Sequence, residues 1–250
     1  MYRGLLSIPS PRPTPLANSG VYPTGVFPPR DQSWYTDGNS SGPLNSPLGI
    51  LSERWVPIST TGASTNVAVA NGRPVNRFTN TGTQIMTWQA STFFPAILIP
   101  NIDAGATWRW KSRVNLRPGS QAAPTAAEDY RYVGGFANDI SSLTSSNFAY
   151  FQYYQSASTV FFEARSRRAS GTVQATALTL PAANQVMTLE VVITPAQVLF
   201  YIDGVIVATH ATVPTGPVAD GMFFRSIAGA GSKSFDQYFM ATLVNWGADA

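Results

Sequence analysis

Acidic side chains able to share proton-transfer work are few and scattered in this 250-residue chain. Glu163 stands alone in VFFEARS and Glu190 alone in TLEVVIT. Glu128 and Asp129 are adjacent. On a strand such neighbours face opposite ways, so the pair fits a loop better than a shared site. The single histidine, His210, closes the run VIVATH, and no G-x-S-x-G elbow offers a serine for it to activate. It is expected to be an exposed or hydrogen-bonded strand-end residue rather than a general base. Asp203 precedes a glycine in FYIDGV, which is hairpin-turn chemistry. Asn138, Asp139 and Asp220 are the best oxygen donors for calcium, but they form no cluster in sequence, and calcium takes six or more oxygens. The absence of cysteine excludes disulfides, thiolate zinc sites, iron–sulfur clusters and a cysteine nucleophile. One histidine cannot build a multi-histidine metal site. No Walker loop or G-x-G-x-x-G is present to cradle a phosphate. No catalytic, metal or cofactor-binding residue is therefore assigned. No cofactor is expected, and the chain is expected not to be an enzyme.

Two groups remain that suit recognition better than reaction. In NFAYFQYYQ, Phe148, Tyr150, Gln152 and Tyr154 share one strand face, and Ala149, Phe151 and Tyr153 share the other. Both faces are aromatic, so both are covered or one is a recognition surface. Tyr150, Gln152 and Tyr154 are the candidate glycan-binding face, because stacked aromatics beside amides are how sugars are held. Arg165, Arg167 and Arg168 cluster nearby in sequence, with Arg131 as an outlying member. A solvated strand edge or a subunit contact is the preferred reading of that cluster over an anion site.

Only 12% of the chain is charged, against about 25% for an ordinary soluble domain. The 44% hydrophobic content is ample for a core. The net charge of +3 is small, and the basic balance reflects scarce acids rather than a dense cationic patch. Nucleic acid is not an expected partner. No run of 18 apolar residues marks a membrane helix, so no membrane partner is expected either. The opening MYRGLLSIPSPRP has only Leu5 and Leu6 before Pro9, too little for a signal-peptide core. Manufacture without a cleaved export signal is the expectation.

The elements that must position these groups divide near residue 50. Residues 1–50 carry nine prolines, including the alternating PSPRPTP, which favours an extended polyproline-II-like path. No helix or long strand is expected there. Tyr2, Tyr22, Phe27, Trp34 and Tyr35 are spaced along this arm with Arg3, Arg12 and Arg30 between them. The arm is expected to lie on another surface, anchored by those eight residues. Residues 51–250 form a succession of short β-branched and aromatic runs bounded by Gly, Pro, Asn and Ser. RFTNTGTQIMTWQ is taken as one such run, and Ala122 to Tyr130 as at most one helical turn. In TWRWKSRVNL, Trp108, Trp110, Ser112, Val114 and Leu116 alternate with Arg109, Lys111, Arg113 and Asn115, the pattern of a half-buried strand with a wet basic face. Strands without helices predict an all-β, antiparallel jelly-roll sandwich preceded by an extended Pro-rich arm.

Residues 186–210, VMTLEVVITPAQVLFYIDGVIVATH, give the most specific signal. Val186–Thr194 and Gln197–Asp203 are joined by Pro195-Ala196, and Val205–His210 follows the Asp203-Gly204 turn. With the Pro214-to-Pro217 loop and the closing strand Tyr238–Trp246, this pattern resembles the concanavalin A-like lectin/glucanase sandwich. Glycan-cleaving members of that fold carry Glu-x-Asp-x-x-Glu on one strand, and this chain lacks the motif. The resemblance thus implies fold without hydrolysis. A charge-poor sandwich behind an extended arm also resembles accessory virion proteins of tailed bacteriophages, of the capsid decoration, head-fibre or tail-fibre type. That resemblance implies a structural protein of the virion, assembled in the host cytoplasm. Its partners would be a major capsid or other virion protein, sister subunits (a trimer is favoured) and a host surface glycan. The alternative it implies is a lectin-like receptor-recognition module of a fibre.

Overall fold

The computed structural model describes residues 31–37, 55–59, 64–70, 73–81, 84–90, 98–99, 107–116, 129–138, 145–156, 158–169, 171–226 and 232–245. In chain order the strands are β1 (Asp31–Asp37), β2 (Trp55–Ser59), β3 (Ser64–Ala70), β4 (Arg73–Thr81), β5 (Gln84–Ala90), β6 (Leu98–Ile99), β7 (Thr107–Asn115), β8 (Asp129–Ala137), β9 (Phe148–Ser156), β10 (Val160–Arg167), β11 (Gln174–Ala177), β12 (Val186–Ile193), β13 (Val198–Ile202), β14 (Val205–His210), β15 (Gly216–Pro217), β16 (Ala219–Ser226) and β17 (Ser232–Asn245).

They build two facing antiparallel sheets. One runs β14-β13-β12-β7-β17-β4-β3, with β1 as its eighth member beside β17. The other has seven strands in the order β11-β10-β9-β8-β16-β5-β2. The short pair β15–β6 stands apart. The expected all-β jelly-roll sandwich is the observed fold.

Alternation decides which side chains meet between the sheets. On β7, Trp108, Trp110, Ser112 and Val114 are fully buried while Arg109 is exposed, as the sequence pattern requires. The opposite sheet contributes Tyr130, Tyr132 and Phe136 from β8 and Phe151 and Tyr153 from β9. Rings interlock across the gap: Phe151 meets Phe200 edge-on at 5.4 Å, and Phe224 meets Phe235 at 4.9 Å. Each such aromatic adds about 1.5–3 kcal/mol by burial. The core also holds hydrogen-bonded polar groups. Tyr130 Oη donates to the Leu116 carbonyl at 2.7 Å, and Thr242 Oγ1 donates to Asp220 Oδ2 at 2.6 Å.

The hairpin strands fall within a residue or two of their expected bounds. Asp203 and Gly204 take φ of 51° and 83°, the paired left-handed geometry of a tight hairpin turn. The Asp203 carboxylate also accepts the Thr188 N–H at 2.8 Å. Two expectations need correction. RFTNTGTQIMTWQ is not one strand: β4 ends at Thr81 and β5 begins at Gln84, in the other sheet. In the arm, where no helix or long strand is expected, Asp31–Asp37 is a seven-residue strand paired antiparallel with β17, Asp31 opposite Asn245 through Asp37 opposite Phe239. Its physical reason is a partner remote in sequence, for which SWYT supplies β-favouring residues. Residues 122–128 lie outside the described residues; Asp129 and Tyr130 belong to β8.

Candidate functional site

The register of β10, β9, β8 and β16 assembles a surface on the outer side of the seven-stranded sheet. One row across it reads Phe161, Tyr154, Arg131, Arg225, each directly opposite the next. The next row reads Glu163, Gln152, Val133, Phe223, and the third begins Arg165, Tyr150. The Tyr154 ring lies 5.1 Å from that of Phe161, tilted by 30°. The Arg131 guanidinium sits over the other side of the row, 4.6 Å from the Tyr154 centroid, a cation–π distance. All four members of the first row are half-buried, so each keeps a solvent-facing part.

Beneath this shelf the structure is anchored. Gln152 is buried, and its Oε1 accepts from Arg165 Nη1 at 2.6 Å. Tyr150 is 4% exposed and stacks on Phe148 at 4.4 Å. With Val133, Ala137 and Phe223 these form a second buried apolar cluster on the outer face. Burial pushes the Tyr150 phenol up, and Arg165 and Arg131 pull it part-way back. The three candidate glycan residues therefore do share one face, with unequal access. Tyr154 reaches solvent, while Gln152 and Tyr150 are buried in the neighbouring rows. Arg165 is not on a strand edge, because β11 pairs beside it, whereas Arg167 lies one residue past the last β11 pair. Arg225 was not singled out in the sequence. Only strand register, which no local pattern reveals, brings it opposite Arg131.

The other chemistry-bearing groups are engaged elsewhere. Glu190 lies 3.0 Å from Arg109 and 3.3 Å from Lys111 on the far sheet. Asp236 accepts two hydrogen bonds from Arg77, at 2.6 and 2.9 Å. His210 is fully buried between the sheets, with Ser166 Oγ at one ring nitrogen and Thr176 Oγ1 at the other, each at 2.9 Å. Asp220 faces the core, and Asn138 Oδ1 accepts the Asn147 N–H at 3.1 Å. Asp139 lies outside the described residues. Among the described residues no three His, Asp or Glu side chains gather as a metal site would need. A cavity of about 440 Å³ opens between β11 and the β12–β14 end of the other sheet, lined by Phe162, Leu178, Leu180, Met187, Ile202 and Val207. Its polar lining includes Gln185, whose Oε1 is already taken by the Ala182 N–H. Such a lining offers little to orient a polar ligand. Of the arm anchors, Tyr2, Arg3, Arg12, Tyr22, Phe27 and Arg30 lie outside the described residues. Trp34 and Tyr35 lie on β1, opposite Thr242 and Ala241.

No family model matches the chain, and no curated protein matches it. Among solved structures, a glycoside hydrolase family 16 endo-glucanase from Bacteroides ovatus aligns with a TM-score of 0.50 at 7% identity, over 82% of this chain and 98% of that one. The fold is a concanavalin A-like jelly roll. The CBM2 module of the evolved Dit of Lactobacillus casei BL23 phage J-1 aligns with a TM-score of 0.47 at 15% identity, over 88% and 98% of the two chains. The binding domain of botulinum neurotoxin DC, in complex with SialylT, gives 0.47 at 7% identity over 79% of this chain and 44% of that one. The chain thus spans less than half the length of that neurotoxin domain. At these identities the similarity concerns the fold.

Proposed function

We propose that this jelly roll is a non-enzymatic carbohydrate-binding module of a bacteriophage particle, carried on the virion by its Pro-rich N-terminal segment. The observation that carries the binding reading is the Phe161–Tyr154–Arg131 row, an aromatic shelf with a cation fixed over one ring. A sugar presents a weakly polar C–H face that stacks on such rings and hydroxyls that accept from guanidinium groups. Gln152 and Arg165 hold the adjacent row rigid, and rigid supports keep the ordering cost of binding low. The absence of catalysis is supported by the carboxylates. Glu163 on β10 and Asp129 on β8 are separated by β9 and by four residues of register, whereas glycoside hydrolysis uses a close pair on either side of the bond.

A glycan array probed with the full chain tests the reading. Defined glycans should bind at micromolar to millimolar strength, and Tyr154→Ala should weaken them at least tenfold. A flat array at high protein concentration would remove the proposal, as would release of reducing sugar abolished by Glu163→Gln. The second reading, a decoration or fibre protein serving mainly to bind a capsid or other virion protein as a trimer, is favoured by the proline-rich segment that leads directly into β1. Particle incorporation of chains lacking residues 1–30 tests it, and full occupancy without those residues would discard it.

A further inference from the structure

Arg131 and Arg225 face each other directly on β8 and β16. Like charges directly opposed on a strand pair repel. The row places them beside the Tyr154–Phe161 shelf. By strand register this outer face carries Arg131, Arg165, Arg167 and Arg225 together with Glu163 and, two residues before Arg131 on β8, Asp129. Glu163 Oε2 is 3.7 Å from Arg165 Nε, too long for a hydrogen bond. Guanidinium groups match planar or tetrahedral oxyanions bidentately.

We propose that the row binds an acidic oligosaccharide. Its sugar ring lies on Tyr154 and Phe161, and its carboxylate or phosphate accepts hydrogen bonds from Arg131 and Arg225. This deepens the carbohydrate-binding reading and rests on it. It also reverses the strand-edge interpretation of the arginines, because the strands that carry Arg131, Arg165 and Arg225 have neighbours on both sides. The short row, on a chain of net charge +3, suits one anionic group rather than a nucleic-acid backbone.

The test pairs uronate-, sialate- and phosphate-bearing oligosaccharides with their uncharged counterparts on one array and follows hits by calorimetry. Wild-type protein should bind an acidic member at least tenfold more tightly than its neutral partner, with the gap shrinking as sodium chloride rises. Arg225→Gln should reduce the gap below threefold while leaving far-UV circular dichroism unchanged. The carboxylate and phosphate arms identify the anionic group. Equal binding of acidic and neutral partners overturns this inference and leaves the carbohydrate reading standing. Binding of neither overturns both. Acidic preference unchanged in Arg225→Gln and Arg131→Gln, or tighter binding of a single-stranded oligonucleotide, also overturns it.

Discussion

His210 shows how a residue's chemistry follows from its enclosure. Its ring is sealed between the sheets, with hydroxyls of β10 and β11 at both nitrogens. In the neutral ring one nitrogen donates and the other accepts, which a pair of hydroxyls satisfies. Burial lowers its pKa below 6.5. The folded state therefore resists the proton that the unfolded state takes up. This contribution to stability is complete above the unfolded value and declines as pH falls from about 6.5 toward the folded value. We expect the thermal midpoint to fall more between pH 7 and pH 5 in wild type than in His210→Gln. Parallel pH slopes would refute the assignment. Glu190 illustrates the opposite case. Its partners Arg109 and Lys111 are nearly half exposed, at 48% and 43%, and solvent screens such pairs. Glu190→Gln should cost less than about 1 kcal/mol, measured by chemical denaturation. A larger loss would show that burial of the Glu190 carboxylate outweighs the screening of its exposed partners. The sequence made both residues visible as isolated groups. It did not show that one is sealed in the core and the other shared between two cations, because both facts depend on neighbours from other strands.

At the scale of elements, β8 meets β7 across the core at a position without a side chain. A Cβ on Gly134 would come within 2.5 Å of the Trp110 ring and of the Tyr132 hydroxyl. Overpacking of this kind costs about 1–3 kcal/mol, so Gly134→Ala should lower the denaturation midpoint by a corresponding amount. A neutral result would mean that the indole has room to turn. Thr242→Val removes the hydrogen bond to buried Asp220 and should cost about 1–3 kcal/mol, in the same assay. The elements most legible in sequence were those paired with their immediate successors. The β12–β13–β14 meander is written in alternating residues and an Asp-Gly turn, all local. β1 was invisible for the complementary reason. Its partner lies at the other end of the chain, and the surrounding prolines dominate the local pattern. The candidate site was half legible. Tyr150, Gln152 and Tyr154 share a strand, so period two groups them. Arg131 and Arg225 meet only through the order of β9, β8 and β16, which no spacing encodes.

For the whole molecule, β1 changes what a truncation would mean. Removal of residues 1–30 should leave far-UV circular dichroism and the thermal midpoint near wild type. Removal of residues 1–50 takes out a strand that pairs with β17 along its full length and should lower the midpoint clearly. Equal midpoints for the two deletions would show that β1 contributes nothing to the sandwich. β17 itself pairs with β7, β4 and β1. It is the last described strand in the chain, yet it lies in the interior of its sheet. On the ribosome, β7 and β4 must therefore wait with open edges until residues 232–245 emerge, and β1 must wait longest of all. The sheet closes only after synthesis has passed its final strand, so a nascent chain stopped before residue 232 has no native edge to complete. Emergence of residues 232–245 thus acts as a quality gate, and chains stopped before them present unpaired strands for capture by chaperones or for aggregation.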